Sequence, residues 1–345
     1  MKIHIRKLDQ GIFFLVTIVF FMLITTLHSC KSDDASPNPA ISFPSHFPNI
    51  QYHSPNNTFS KDAIELGKYL FYDKNLSLTR TISCGSCHAQ VHGFSDHNLS
   101  RSFGIYNRQG KRNSPAIFNL AWNPSFMWDG GINHLDVMPL GPLTDTNEMG
   151  LPIQTWIYRV KEQPRYSGLF QKAFGDTQIS EKRALFALSQ FMLTIQSYQS
   201  NYDKMLQNKY TFTSNEAAGY ILFKKHCNAC HSEPLFTNYQ YKRNGFTTAG
   251  NERGRMRITE LPEDLYKFKV PSLRNLEFTY PYLHDGSVFN LTDVIQKYNQ
   301  IDASDEHPSI NNLNFSDTEI QQLIAFLNTL NDYTLLGNKA LSEPR

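Results

Sequence analysis

The chain has 345 residues, with 33 lysines and arginines against 31 aspartates and glutamates, and a formal net charge of +2 at pH 7. A charge this close to zero, without a basic run, argues against a nucleic-acid partner. Once an N-terminal leader is set aside, the remaining length is enough for two domains.

The first 30 residues have the layout of a bacterial lipoprotein signal peptide. A basic start precedes an apolar run over residues 11–27, and the segment ends in Leu27-His28-Ser29-Cys30. Leu27 and Ser29 suit a lipobox-like site that would make Cys30 the lipidated N-terminus, although His28 replaces the usual small residue. An uncleaved anchor is the alternative, but the run is shorter than the ~20 apolar residues of a spanning helix. Both alternatives predict an extracytoplasmic body, and we expect a periplasm-facing or outer-membrane lipoprotein.

The segment after the leader predicts a tether, a helix and then a chemical motif. Residues 31–45 are rich in Ser, Pro and Asn and predict a solvated tether. Behind Ser60, a fair N-cap, apolar residues at helical spacing predict a helix over Lys61–Phe71. The sequence Cys84-Gly-Ser-Cys87-His88 follows.

Three further helices are predicted in the rest of the chain. Ser180 caps a helix that continues to about Tyr198. Thr213-x-x-Glu216 is a capping box that opens a helix leading into Cys227-Asn-Ala-Cys230-His231. A second capping box, Ser316-x-x-Glu319, starts a terminal helix. Strand-like alternation is nearly absent.

The two pentapeptides at Cys84–His88 and Cys227–His231 have the C-x-x-C-H signature of covalent c-type haem attachment. In such a site the two thiols add to the porphyrin vinyl groups and the histidine becomes the proximal ligand of the iron. The alternatives at each site are a zinc pair, which would want a second Cys pair close by, and a redox motif, which would want a βαβ pattern. These motifs use four of the five cysteines and Cys30 is the fifth, so no pair remains for a disulfide.

The predicted fold is mainly α, with two cytochrome c-like domains that each carry one covalently bound c-type haem. We expect the first domain over residues 46–209 and the second over residues 210–345. The second domain has the order helix, haem motif, long loops and closing helix. Its loops are long because the haem itself serves as core on which side chains pack.

The chain resembles the bacterial di-haem cytochrome c peroxidase/MauG family from about Phe59 to Asn331. The phrases that carry the resemblance stand here in family order. In the first half they are Leu66-Gly67-x-x-Leu70-Phe71-Tyr72-Asp73, Ser83-Cys84-x-x-Cys87-His88, Gly93-Phe94-Ser95-Asp96, Arg112-Asn113-Ser114-Pro115, Met127-Trp128-Asp129-Gly130 and Glu148-Met149-Gly150. In the second half they are Cys227-x-x-Cys230-His231, Pro271-Ser272-Leu273-Arg274-Asn275, Thr279-x-Pro281-Tyr282-x-His284-Asp285-Gly286 and Tyr298-Asn299.

The resemblance implies a division of labour between the haems. The N-terminal haem would meet hydrogen peroxide and the C-terminal haem would pass electrons to it. Glu148 matches the acid of the family's Glu-Met-Gly phrase, which would move a proton between the two peroxide oxygens; a surface glutamate is the alternative. Trp128 matches a tryptophan that shortens the electron path between the haems, and an aromatic plug between domains is a compatible alternative.

The sixth position of the N-terminal iron is predicted to be open. In many relatives a distal histidine follows a Ser-x-Gly, but here Ser102-Phe103-Gly104 is followed by Ile105. His92 and His97 lie nearby in sequence and are the alternative ligands. Two further positions depart from the family, because Met138 stands where a glutamine is often found and Gly131 where an arginine is expected. These two replacements remove side chains that would help to hold peroxide or a haem propionate in the pocket of the relatives.

The C-terminal iron has His231 as its proximal ligand and, by resemblance, Tyr298 as its sixth ligand. The family uses methionine here in electron-transferring peroxidases and tyrosine in MauG. An uncoordinated Tyr298 and ligation by Met256 are the alternatives. A tyrosine oxygen favours the oxidised iron, whereas a methionine thioether raises the reduction potential and suits an electron relay.

The resemblance also implies a calcium ion between the haems. Calcium takes oxygen ligands, and Asn113 would supply a side-chain oxygen while Thr279 and Pro281 would supply backbone oxygens. A turn-forming role is the alternative for Asn113. His284 is a candidate near this ion or a propionate.

Three functions follow. The first is a peroxidase that reduces hydrogen peroxide to water with electrons from a small protein such as a cytochrome c or a cupredoxin. The second is a MauG-like oxidase that uses peroxide to modify side chains of a partner protein. The third, a non-catalytic electron carrier, would need both irons six-coordinate, which the missing distal histidine and the retained Glu148 argue against. The resemblance also leads us to expect a homodimer.

Overall fold

A computed structural model describes residues 40–96, 98–246, 251–301 and 313–345. The leader with Cys30 and most of the tether lie outside the described residues, as does His97. The mainly α prediction is confirmed. The helices are α1 Lys61–Tyr72, α2 Cys84–Cys87, α3 Leu140–Thr144, α4 Ile153–Glu162, α5 Pro164–Phe174, α6 Glu181–Leu193, α7 Asn201–Leu206, α8 Ser214–His226, α9 Met256–Thr259, α10 Leu291–Asn299, α11 Asp317–Asn328 and α12 Tyr333–Gly337.

The predicted helix starts agree with the observed caps. The side chain of Ser60 accepts a hydrogen bond from the Ala63 amide, and both capping boxes, at Thr213 and at Ser316, are present. These side chains satisfy amides that have no partner within the first turn of a helix.

The end of α6 differs from the prediction. This helix stops at Leu193 rather than near Tyr198. The reason is that other segments form hydrogen bonds with the backbone amide and carbonyl groups after Leu193. The Asn119 amide donates to the Ile195 carbonyl, and the Tyr198 amide donates to the Asp332 carboxylate. Contacts distant in sequence therefore use the groups that a longer helix would need.

Each half of the chain contains a close crossing of two helices, one of which precedes its Cys-x-x-Cys-His motif in sequence while the other follows it. Helix α1 packs on α6 at Gly67, where an added Cβ would lie 1.9 Å from the Ala187 carbonyl oxygen. Helix α8 packs on α11 at Gly219, where an added Cβ would lie 1.9 Å from the Gln322 carbonyl oxygen. Glycine at each crossing lets the two backbones approach, so the two halves use the same packing solution.

Two hydrophobic clusters surround these crossings. The first is centred on α1 and α6 and the second on α8 and α11. The end of the chain joins the first cluster through Leu335 and Leu341, and the side-chain amide of Gln90 donates to the carbonyl of Asn338 at 2.8 Å. The C-terminal residues thus pack beside the first motif. The predicted boundary between residues 209 and 210 stays a prediction.

Strands are short among the described residues. The two-residue strands β1, Tyr241–Lys242, and β2, Phe268–Lys269, pair antiparallel with Tyr241 opposite Lys269. Within the described ranges, no helix has the length and apolar character needed to cross a membrane.

Candidate functional site

One cavity of about 1240 Å³ is lined by both Cys-x-x-Cys-His motifs. This is larger than the roughly 300–1,000 Å³ of an ordinary ligand pocket. None of the four cysteines of these motifs forms a disulfide. The predicted site residues on its wall are Cys84, Cys87, His88, Asn113, Trp128, Glu148, Cys227, Cys230, His231, Thr279, Pro281, His284 and Tyr298.

The first motif forms the short helix α2 behind Ser83. The next turn passes through Gly93 and Phe94, both at positive φ, and returns the chain to Ala89. As a result the Phe94 carbonyl lies 3.1 Å from Nδ1 of His88. Burial lowers the pKa of His88. The imidazole is therefore neutral with its proton on Nδ1, which leaves Nε2 free to ligate a metal.

The second motif repeats this arrangement at the end of α8. Nδ1 of His231 lies 3.2 Å from the Phe236 carbonyl and 3.1 Å from the Pro271 carbonyl. Burial lowers the pKa of His231 to about 4. Two carbonyl acceptors fix the ring, so Nε2 is again the nitrogen available to an iron.

The charge of the cavity wall also suits two haems. The wall carries eight basic side chains against four carboxylates, and one of the eight, Arg274, is already paired with the buried Asp203. Each haem has two propionates, so two haems bring four negative charges. Nε of Arg101 is buried and has no hydrogen-bond partner in the described part of the chain. The basic residues are Arg101, Lys111, Arg112, Lys242, Arg253, Arg257, Lys269 and Arg274, and the acidic ones are Asp129, Asp145, Glu148 and Glu252.

Glu148 lies beside the first motif. Its carboxylate interacts electrostatically with the thiols of Cys84 and Cys87. Burial, and secondarily the charge of Asp145, raise the pKa of Glu148 to about 7. The side chain is exposed where it lines the cavity, so its raised pKa reflects the protein atoms packed around the carboxyl group and the nearby charge of Asp145. A carboxyl group with this pKa can exchange a proton with a bound substrate near neutral pH.

The residue at the expected distal position points away from the cavity. Ile105 is buried, is not part of the cavity wall, and reaches within 2.3 Å of where a Cβ on Gly150 would be. His92 does not line the cavity either. Met138 and Gly131, the two positions that depart from the family, both lie on the wall.

Tyr298 enters the cavity from α10, near the second motif. Its ring lies 4.6 Å from that of Phe246, and it interacts with the thiols of Cys227 and Cys230. Burial raises the pKa of Tyr298. Met256, the alternative ligand, does not line the cavity.

The three residues expected at a calcium site share the cavity wall. The side-chain amide of Asn113 donates to the Ser100 carbonyl at 3.2 Å, so its carbonyl oxygen is the atom available to a cation. Thr279 and Pro281 would offer backbone oxygens. Within the described ranges no cluster of three or more His, Cys, Asp or Glu side chains could hold a metal ion. A cation here would depend on neutral oxygens and water.

Sequence reasoning missed the ionic contacts around Trp128. Asp129 is fully buried and is bound by Arg112 and Arg257, each at 2.6 Å. Lys269 is half-buried on the wall, and burial lowers its pKa to about 8. The run Arg253-Gly-Arg-Met-Arg257 was the only sequence signal for these contacts.

The chain is similar to known proteins over most of its length. The family model of di-haem cytochrome c peroxidases matches residues 61–211. The cytochrome c551 peroxidase of Nitrosomonas europaea is 34% identical over 275 residues, which cover 78% of this chain and 80% of that protein. The methylamine utilization protein MauG of Methylorubrum extorquens is 33% identical over 288 residues, covering 81% and 80%. The crystal structure of a MauG-like protein associated with microbial copper homeostasis matches with a TM-score of 0.80 and 29% identity, covering 88% of this chain and 98% of that one.

Proposed function

The chain belongs to the di-haem cytochrome c peroxidase family, and from that premise we propose that it reduces hydrogen peroxide to water at the N-terminal haem. Electrons reach this haem through the C-terminal haem. The reaction converts one hydrogen peroxide, two electrons and two protons into two water molecules. When bound, the haem irons supply the electron-transfer chemistry that cleaves the O–O bond.

The residues of the two motifs hold the cofactors. Cys84 and Cys87 attach the first haem, and Cys227 and Cys230 attach the second. His88 and His231 would ligate the irons through Nε2, and the carbonyls that accept from Nδ1 keep each ring in one orientation. A fixed ligand limits rearrangement of the site when the iron changes its oxidation state.

One observation carries the proposal: Glu148 lies beside the first motif with its pKa raised to about 7. We assign its carboxylate the transfer of a proton from the near oxygen of peroxide to the far one. A group with a pKa near the working pH can both accept and release this proton. Ile105 supplies no ligand on this side of the cavity, which leaves room for peroxide.

The proposal is tested by measuring hydrogen peroxide consumption by the haem-loaded protein with a reduced small cytochrome c as the electron donor. Two equivalents of donor should be oxidised for each peroxide consumed. Dismutation of peroxide to oxygen without donor oxidation would contradict the proposal. The cupredoxin azurin can replace the cytochrome to identify the preferred class of donor.

The second candidate is a MauG-like peroxide-dependent oxidase that modifies side chains of a partner protein. The observation that favours it is Tyr298 on the cavity wall near Cys227 and Cys230. As a ligand of the C-terminal iron, its oxygen would favour the oxidised state and disfavour a simple relay. A peroxide-dependent mass change in a partner protein would support this candidate.

We also propose a calcium ion held by Asn113, Thr279 and Pro281, which is supported by their common position on the cavity wall. Lipid attachment at Cys30, an extracytoplasmic location and a homodimer remain proposals that rest on the sequence. Loss of a lipid-sized mass after Cys30→Ala would support the anchor.

A further inference from the structure

Trp128 is held from both halves of the chain. Its indole Nε1 donates to the Asn113 carbonyl at 2.8 Å, and its own carbonyl accepts from the Lys269 amide at 2.7 Å. The Asn113 amide in turn donates to the His284 carbonyl at 2.8 Å. The ring and the backbone of Trp128 are thus tied to two segments of the cavity wall, one from each half of the chain.

The next residue, Asp129, is held by charge. One oxygen, Oδ2, accepts from Arg112 at 2.6 Å and from Arg257 at 2.6 and 3.1 Å. The other oxygen, Oδ1, accepts from the Gly131 amide at 3.0 Å. Burial alone would raise the pKa of Asp129, but the hydrogen bonds and charges of Arg257 and Arg112 outweigh it and lower the pKa. Removing one partner of a buried carboxylate strongly destabilises the folded protein, because the remaining charge is left without compensation.

Arg257 reaches Asp129 because residue 131 has no side chain. Helix α9 carries both Arg257 and Ile258. A Cβ on Gly131 would lie 2.9 Å from Cδ1 of Ile258 and 3.2 Å from Oδ1 of Asp129. Gly131 therefore leaves space for α9 to lie against Asp129. Two guanidiniums from the second half of the chain contact Asp129: that of Arg257 binds the carboxylate, and that of Arg255 donates to the backbone carbonyl at 3.0 Å.

We propose that Asp129 and Arg257 are positioning residues that hold Trp128 in the wall shared by the two haem motifs. This inference rests on the proposed function, in which electrons pass between the haems, and on the electron-transfer role that the family resemblance implies for Trp128. Electron transfer slows steeply as the gap between groups grows, so a tryptophan on the path must keep its position. Arg112 gives Asp129 only one of its nitrogens, because its other two bind Glu252 at 2.8 Å. Arg257 adds two hydrogen bonds to the same carboxylate oxygen, Oδ2.

The test is the rate of electron exchange between the two haems of the loaded protein, measured by pulse radiolysis. Arg257→Ala should slow the exchange by up to about 10²-fold, the loss that a misplacement of about 1 Å can cause. Arg257→Lys should restore part of the rate because it keeps the charge. In a Trp128→Phe background, Arg257→Ala should cause no further loss.

Equal fractional losses in the two backgrounds would overturn the proposal, because Arg257 would then act independently of Trp128. An unchanged rate in Arg257→Ala would also overturn it. If Trp128→Phe does not slow the exchange, the electron-transfer role of Trp128 fails and the positioning proposal fails with it. Peroxide consumption, measured separately, still reports on the peroxidase activity.

Two controls separate positioning from folding. Arg183→Ala removes another arginine–aspartate pair, Arg183 with Asp176, away from the cavity wall, and should leave the exchange rate unchanged. Arg257→Gln keeps most of the side chain without its charge, so it serves where Arg257→Ala does not fold. A normal exchange rate in Arg257→Gln would show that the charge of Arg257 is not required to position Trp128, and would overturn the proposal.

Discussion

Ile105 donates its backbone amide to the carbonyl oxygen of Glu148 at 2.9 Å. The residue at the expected distal-ligand position is therefore bound to the backbone of the proposed acid. Gly104 permits this close approach, since an added Cβ there would lie 2.6 Å from Cα of Glu148. The loop that lacks a distal ligand and the loop that carries the acid consequently form one packed unit.

Glu148→Gln should slow peroxide turnover by ~10²–10⁴-fold, the usual contribution of a general acid–base group. Both haems should remain attached, because no cysteine or histidine ligand is changed. Steady-state peroxide consumption and the haem content of the purified protein check this. Glu162→Gln, at an exposed glutamate of α4 away from the cavity wall, is the matched control. An unchanged rate in Glu148→Gln would assign Glu148 to a structural role.

The dependence of peroxide turnover on pH should follow the pKa of Glu148, which is raised to about 7. The carboxylate is the form that accepts the first proton, so kcat/KM for peroxide should rise from pH 6 to pH 8. Asp145 contributes to the raised pKa through its negative charge. Asp145→Asn should therefore lower the pKa and move the rise toward acid pH. A profile that is the same in Glu148→Gln would show that another group is responsible.

The isolated oxidised protein should contain one high-spin haem iron without prior reduction. The reason is that neither Ile105 nor His92 lines the cavity. Electron paramagnetic resonance of the ferric protein counts high-spin and low-spin irons directly. A spectrum with only low-spin iron would contradict this prediction and would make His92 or His97 the candidate ligand again.

Tyr298→Phe should change the low-spin signal and raise the reduction potential of the C-terminal haem, because it removes an oxygen ligand that favours oxidised iron. Tyr298→Met would install the ligand of electron-transferring relatives and should raise the potential too. Spectroelectrochemistry measures both effects. Tyr158→Phe, at an exposed tyrosine, is the control. If Tyr298→Phe leaves the spectrum and the potential unchanged, the MauG-like candidate loses its main support.

Gly67→Ala and Gly219→Ala should each lower the free energy of unfolding by at least the ~1–3 kcal/mol typical of overpacking. Each new Cβ would lie 1.9 Å from a carbonyl oxygen of the opposing helix. Gly168→Ala is the control in α5, where an added Cβ meets nothing within 4 Å. It should stabilise the protein by roughly 0.5–1 kcal/mol, because alanine is favoured over glycine in a helix. Urea unfolding of the loaded proteins measures all three.

Much of the site was predictable because its chemistry depends on residues that are close together in the sequence. Covalent haem attachment needs two thiols and a histidine at fixed spacing, so Cys84–His88 and Cys227–His231 identify the cofactor without a fold. Capping boxes are equally local, and the helices behind Thr213 and Ser316 start where the sequence places them. The family phrases then identified Glu148, Trp128 and Tyr298, which the structure brings to one cavity.

The rest depended on contacts between segments distant in sequence. The end of α6 is set by Asn119 and Asp332, which no helical period can reveal. Glu148 resembles a surface glutamate by residue type, and only the surrounding protein raises its pKa. The sequence by itself determined the cofactor, because covalent haem attachment follows from bonds formed within five residues, and the family phrases along the chain indicated the reaction class. Tertiary structure alone decided that Arg257 reaches Asp129 and that Ile105 faces away from the cavity. Such contacts depend on which backbones approach closely enough to exclude water and share hydrogen bonds.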